Sequence, residues 1–286
     1  MVDGDTSWRG LRSQKLLLIL MIYSIRIRWN SPTVRMVEKC SHGNDETTSM
    51  RRRETSMEPL FPQSLDFYRH HSQEYARVSA SFLESGYVDL SNPEVKGDAD
   101  LTNWLMALAP GRRGLDAGCG SGAKEVHALC SQGYDVIGLD AVEENLEVAA
   151  ELHPEIADRL YLADLTQPVP FPNATFDFVL CRGVIQHISP EVTKEHTLPE
   201  LIRVLRSGGI LQLMFKNGHG IKTVSDGDYG GISRSFHLYD EHELLALLES
   251  YDCHLVAQGL QDAVGGLVYI TDAKPMQHCA FHVIKG

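Results

Sequence analysis

An aspartate, a glycine turn and two further aspartates carry the chemistry that stands out in this chain. Gly118 and Gly120, within GLDAGCGSG (114–122), let the backbone turn sharply and approach a ligand with no Cβ in the way. By themselves the glycines discriminate little, because residues 118–123 also fit the G-x-G-x-x-A fingerprint of dinucleotide sites. The carboxylates discriminate more. Asp116, two residues before the first glycine, would repel a pyrophosphate and attract an ammonium group. Asp140 closes the next apolar run and is placed to accept hydrogen bonds from ribose hydroxyls. Asp164, in the apolar company of Leu162 and Leu165, suits a hydrogen bond from an adenine amino group. A lone aspartate at a strand end as readily forms a turn or a cap. Three of them registered with one glycine turn describe a ligand built as a nucleoside carrying an α-amino acid. The competing nicotinamide oxidoreductase chemistry is disfavoured by Asp116 and Asp164.

Such residues must sit at strand ends, and the hydropathy pattern supplies the strands. They are predicted over 112–117, 134–140, 159–164, 176–181 and 210–215, with helices over 121–132 and 143–152. Ser189-Pro190-Glu191 forms an N-cap, a first helical position and an acidic first turn. Pro199 restarts or kinks that helix before Ser207-Gly208-Gly209 ends it. Asp240 and Glu243 make a capping box for a further helix, and 253–258, 267–271 and 280–284 are strand-like. Upstream, Ser64 caps a helix bearing Leu65, Tyr68, Tyr75, Val78 and Phe82, and a second helix carries Leu101, Trp104, Leu105 and Leu108. Apolar strands alternating with helices predict an α/β fold, a doubly wound parallel sheet covered by helices on both faces. In such a sheet the ligand sits outside the carboxyl ends of the strands.

At these residues the chain resembles the class I S-adenosylmethionine-dependent methyltransferases, especially the group acting on small molecules. LDAGCGSG (115–122) is similar to their first motif and VIGLDA (136–141) to their second-strand acid. Residues 163–188 resemble the segment from the adenine contact through the fourth strand to the following loop. ELIRVLRSGGILQLMF (200–215) resembles their helix and fifth strand, with Ser207 where a proline is common. QEYARV (73–78) resembles the tyrosine-bearing helix that folds over the cofactor. The resemblance covers roughly 65–258. It implies a Rossmann-like seven-stranded sheet, mostly parallel with an antiparallel last strand. It also implies S-adenosyl-L-methionine held by Tyr75, Asp116, Ala117, Gly118, Gly120, Asp140, Ala141, Asp164, Leu165 and Arg182, and no metal. The implied reaction is methyl transfer to an O or N atom of a small-molecule acceptor. A tRNA-modifying methyltransferase would share every cofactor motif, and VIQHI (184–188) is similar to the matching segment of wobble-uridine methylators.

His187, just past the fourth strand, is the candidate general base; the other reading is a histidine that fixes the loop. Residues 216–239 hold five glycines and are expected to form a long loop acting as substrate lid or wall. Within it, His219, Tyr229, Arg234 and His237 are candidate acceptor contacts, Arg234 pointing to a carboxylate or phosphate.

Charge is unevenly spread. Residues 1–57 have ten Lys/Arg against six Asp/Glu, whereas 58–286 have sixteen against thirty-two, a net of −16. An acidic body disfavours a polynucleotide partner. The first 57 residues are expected to be a disordered or dispensable extension, ahead of a methyltransferase domain (58–286) whose residues 58–110 form a helical cap. The apolar run Leu16–Ile25 is too short to span a bilayer core. Six cysteines without CxxC pairing fit reduced thiols and a cytoplasmic protein.

Overall fold

The computed structural model describes residues 60–88, 94–257, 265–271 and 276–286. The extension expected over 1–57, with its apolar run, lies outside the described residues. No described helix is long and apolar enough to cross a membrane.

Two helices, α1 (Leu60–Ser81) and α2 (Asp98–Leu108), precede the sheet. Then β1 (Arg113–Ala117), α3 (Lys124–Ser131), β2 (Asp135–Asp140), α4 (Glu143–Leu152) and β3 (Leu160–Leu162) alternate. They are followed by β4 (Phe176–Arg182), α5 (Leu198–Val204) and β5 (Leu205–Lys216). A hairpin of β6 (Ile221–Asp226) and β7 (Ile232–His237) leads to α6 (Glu241–Ser250), β8 (Cys253–Leu255), β9 (Leu267–Thr271) and β10 (Gln277–Lys285).

The main sheet runs β3-β2-β1-β4-β5-β10-β8, and β9 also pairs with β10. Strands β1 to β5 are mutually parallel, and β10 inserts antiparallel beside β5. The sheet has eight strands rather than seven, for a local reason. Leu255 lies opposite Val283 and Leu267 opposite Phe281, so β8 and β9 lie end to end along β10. Together β8 and β9 occupy the place of one last strand beside β10.

Both faces are covered, which is why β4 is buried from Phe176 to Cys181 with no polar alternation. Leu115, Ala117, Val179 and Cys181 point to one face, against Leu198, Leu201 and Ile202 of the α5 region and Leu244 and Leu248 of α6. Phe178 and Leu180 point to the other, with Leu105 of α2 and Val126 and Leu129 of α3. Strand order reverses between β1 and β4, so the crevice for a ligand opens beyond their carboxyl ends.

Three local expectations are corrected. Ser64 lies inside α1 instead of capping it. Pro199 stands in the first turn of α5, but no new cap restarts the helix: Thr197 keeps helical angles, and a π-helical turn at Thr193–Thr197 runs straight into α5. A widened turn suits a proline that has no N–H to donate to the preceding turn. The helix then stops at Val204, and 206–209 bulge within β5, where the register with β4 jumps between Phe176 and Phe178. Residues 216–239 are no open loop. Ile221–Asp226 and Ile232–His237 pair antiparallel as a two-stranded sheet, turned by Gly230 and Gly231, both at positive φ.

Candidate functional site

β1 ends at Ala117 and the chain turns at Gly118, whose φ is 94°. The N–H groups of Gly118 and Cys119 both donate to the Leu139 carbonyl, each at 2.8 Å, which fixes the turn against β2. A Cβ on Gly118 would sit 2.4 Å from Val184 Cγ2, and one on Gly120 would sit 2.8 Å from the Tyr75 ring. The two glycines are therefore demanded by close approach as well as by backbone angle, since Val184 after β4 and Tyr75 on α1 close directly over the turn. Beneath them opens a cavity of about 620 Å³, lined in part by Phe61, Leu65, Val142 and Asn145. Of the expected residues, Tyr75, Gly118, Asp140, Ala141, Leu165, Arg182 and His187 line it.

Asp140 is the anchor of one wall. Its Oδ2 accepts from the Gly120 N–H at 2.9 Å; its Oδ1 accepts from the Val142 N–H at 2.9 Å and from Asn145 Nδ2 at 3.2 Å. Burial raises its pKa, and these donors act against that shift. The carboxylate thus ties the glycine turn to the start of α4.

Asp116 borders an adjoining cavity that shares Tyr75, Gly118 and Arg182 with the first. It lies within a buried ionic cluster. Lys124 Nζ pairs with Asp98 and lies 3.8 Å from Glu125 Oε1. The Arg182 guanidinium donates to Glu125 Oε1 at 3.2 Å, to Thr102 Oγ1 at 2.9 Å, and to Gln212. Two cations thus face three carboxylates, Asp98, Asp116 and Glu125. The surplus falls on Asp116, whose Oδ2 is buried without a hydrogen-bond partner among the described residues. Burial, then the Glu125 carboxylate, holds its pKa well above the usual range. A buried carboxylate left this way costs stability unless a ligand completes it.

Three expected residues line neither cavity. Ala117 is fully buried in the core. Asp164 lies between Ala163 and Leu165, which line the first cavity, and its Oδ1 accepts from the Thr166 N–H at 2.8 Å. Gly120 likewise serves by its N–H to Asp140 and by admitting Tyr75, without lining the cavity itself.

On the opposite wall His187 is buried and engaged at both ring nitrogens. Its Nδ1 lies 3.0 Å from Ser64 Oγ and its Nε2 3.2 Å from the Tyr68 hydroxyl. Burial, then the nearby Arg234 cation, pushes its pKa well below the usual histidine value, so the ring is neutral. Arg234 in turn donates to the Tyr68 oxygen at 2.6 Å and pairs with Asp226 at 3.0 Å. The guanidinium lies 4.2–5.2 Å from the ring centroids of Phe67, Tyr68, Tyr229 and Phe236. It is therefore held in place by Asp226, Tyr68 and the four rings, beside a recess lined by Ser233 and Ser235. Ser64 and Tyr68 were missed as site residues because they lie more than a hundred positions from His187. The ionic cluster left a signal that was passed over, Lys124-Glu125 directly behind the glycine turn.

Residues 115–213 match the family model described as "Methyltransferase domain". The chain is 26% identical over 214 residues to the biotin biosynthesis bifunctional protein BioHC of Cellvibrio japonicus, covering 73% of this chain and 36% of that protein. It is 29% identical over 138 residues to the tRNA (carboxymethyluridine(34)-5-O)-methyltransferase of Schizosaccharomyces pombe, covering 48% of this chain and 53% of that one. The chain thus spans less than two thirds of the length of either relative. Among solved structures, the fold is similar to that of a Burkholderia thailandensis 1,6-didemethyltoxoflavin-N1-methyltransferase holding its substrate and S-adenosylhomocysteine. The TM-score is 0.56 at 16% identity, over 85% of this chain and 93% of that one. Motif, strand order and family model agree on a class I S-adenosylmethionine-dependent methyltransferase domain whose family match spans residues 115–213.

Proposed function

We propose that this chain binds S-adenosylmethionine and transfers its methyl group to an oxygen or nitrogen atom of a small-molecule acceptor. The observation that carries the reading is the surplus carboxylate: Asp116 is buried, lacks a partner at Oδ2, and belongs to a cluster short of one positive charge. An α-ammonium group supplies that charge. Asp140 takes the ribose hydroxyls, the apolar wall of Ala163 and Leu165 takes the adenine, and Tyr75 covers the ligand from α1. The bound sulfonium supplies an activated methyl group, so the protein's part is binding, orientation and exclusion of water.

His187 is assigned to positioning. Its neutral ring is the form a base requires, but both nitrogens are bonded to α1, and a base needs one of them facing the acceptor. Held this way, the imidazole pins α1 across the pocket mouth. The net charge of −16 over 58–286 favours a small acceptor over a polynucleotide.

The test is transfer of label from methyl-labelled S-adenosylmethionine into a metabolite extract and, separately, into bulk tRNA. Label in low-molecular-weight products that disappears with Asp116→Asn is expected. Label in tRNA alone would replace the acceptor class while leaving the cofactor reading intact.

A further inference from the structure

Away from the cofactor crevice, two imidazoles and a carboxylate converge on the outer surface. His127 projects from α3, His153 caps the carboxyl end of α4, and Glu155 follows in the 3-10 turn Pro154–Arg159. None of the three lines a described cavity. One donor atom from each lies within 4.8 Å of the other two. Glu155 Oε1 sits 2.7 Å from His127 Nδ1 and 3.8 Å from His153 Nδ1. The two rings stack at a centroid distance of 3.9 Å with planes 16° apart.

We propose that His127, His153 and Glu155 form a binding site for a borderline divalent cation, Zn²⁺ or Ni²⁺, separate from the methyl-transfer site. Two imidazoles with one carboxylate are a zinc-type donor set that leaves a fourth position for water. Bonds of ~2.0–2.1 Å in a tetrahedron set donors ~3.3 Å apart, and the two carboxylate–imidazole separations straddle that value. The scaffold is held on both sides. The His153 N–H donates to the Ala149 carbonyl at 2.9 Å, and its own carbonyl accepts from the N–H of Ile156, a residue 1% exposed. Pro154 stiffens the single link between the two donors. Binding needs one adjustment: the stacked rings must swing apart so that both lone pairs meet at one point. A surface ion pair between His127 and Glu155 would have no use for His153, and the participation of His153 is what distinguishes the two accounts.

The experiment is calorimetric titration of the full chain, without a histidine tag, with ZnCl₂ and with NiCl₂ in a non-chelating buffer. One ion per chain at micromolar affinity is expected, with His153→Ala and Glu155→Gln each weakening it at least tenfold. Both side chains are partly exposed (25% and 58%), so the variants should fold, as far-ultraviolet circular dichroism will verify. His242→Ala, on a histidine 85% exposed at α6, should leave the affinity unchanged. The proposal is overturned if no saturable binding is seen, or if binding persists unaltered in His153→Ala and Glu155→Gln.

Discussion

The two walls of the crevice are built on opposite plans. Along β1 and α3 the buried charges do not balance: Asp98, Asp116 and Glu125 outnumber Lys124 and Arg182, and Asp116 Oδ2 has no partner among the described residues. Along α1 and the β6–β7 hairpin the charges and hydrogen bonds close on one another. Asp226 pairs with Arg234, Arg234 bonds Tyr68, and Tyr68 and Ser64 bond the two nitrogens of His187. On the proposed reading, the incomplete wall forgoes stability and leaves Asp116 open to a ligand, whereas the complete wall contributes stability and fixes the geometry of the mouth.

The largest expected effect on stability therefore belongs to the complete wall. Arg234→Met keeps a flexible apolar body among the four rings but deprives Asp226, a carboxylate 1% exposed, of its guanidinium. Denaturant unfolding should show a loss of about 3 kcal/mol, at the lower end for breaking a buried ion pair. S-adenosylhomocysteine affinity should change less than threefold. The reverse pattern, intact stability with lost affinity, would break the comparison between the two walls.

A pH-dependent effect follows from two histidines buried as neutral rings, His187 and His282. The pKa of His187 is depressed by burial and by Arg234, and burial, then Arg182, pushes His282 down to about 3. The unfolded chain takes up protons on these rings near pH ~6.5, while the folded protein refuses them until far lower pH. Their contribution is therefore complete above pH ~6.5 and is lost as pH falls toward 3. The slope can reach ~1.4 kcal/mol per pH unit for each such histidine. Melting temperature measured from pH 7.5 to 4.5 should fall steadily, and His282→Gln should flatten that fall. A flat profile in the parent chain would show that these rings titrate normally.

The features of this site that were legible in the sequence are the local ones. Asp116, Gly118 and Asp140 announce themselves because a strand end and a glycine turn are a matter of a few residues' spacing. The parallel strands were legible for the same reason, as apolar runs bounded by turns. Asp164 lies just past the end of β3, but which residues of the turn there line the cavity does not follow from spacing. The turn uses the Asp164 carboxylate to hold the Thr166 N–H, and Ala163 and Leu165 line the cavity. The hairpin was missed because glycines dominate 216–239, and because Ile221 and Ile232, both 40% exposed, mark no buried face. The bonding of His187 is beyond any local pattern. Ser64 and Tyr68 reach it only because α1 folds back across the sheet.

The central claim is that the Asp116 carboxylate exists to receive an ammonium group, and calorimetry tests it directly. S-adenosylhomocysteine and its deaminated analogue are each titrated into the parent chain and into Asp116→Asn. Loss of one charge-assisted hydrogen bond, ~1.5–3 kcal/mol, should weaken S-adenosylhomocysteine by about 10- to 150-fold in the variant. The deaminated analogue should bind both proteins alike, and the variant should melt no lower than the parent, having lost a buried carboxyl oxygen without a hydrogen-bond partner among the described residues. Equal affinity of S-adenosylhomocysteine for both proteins, or the same loss with the deaminated analogue, would contradict the claim.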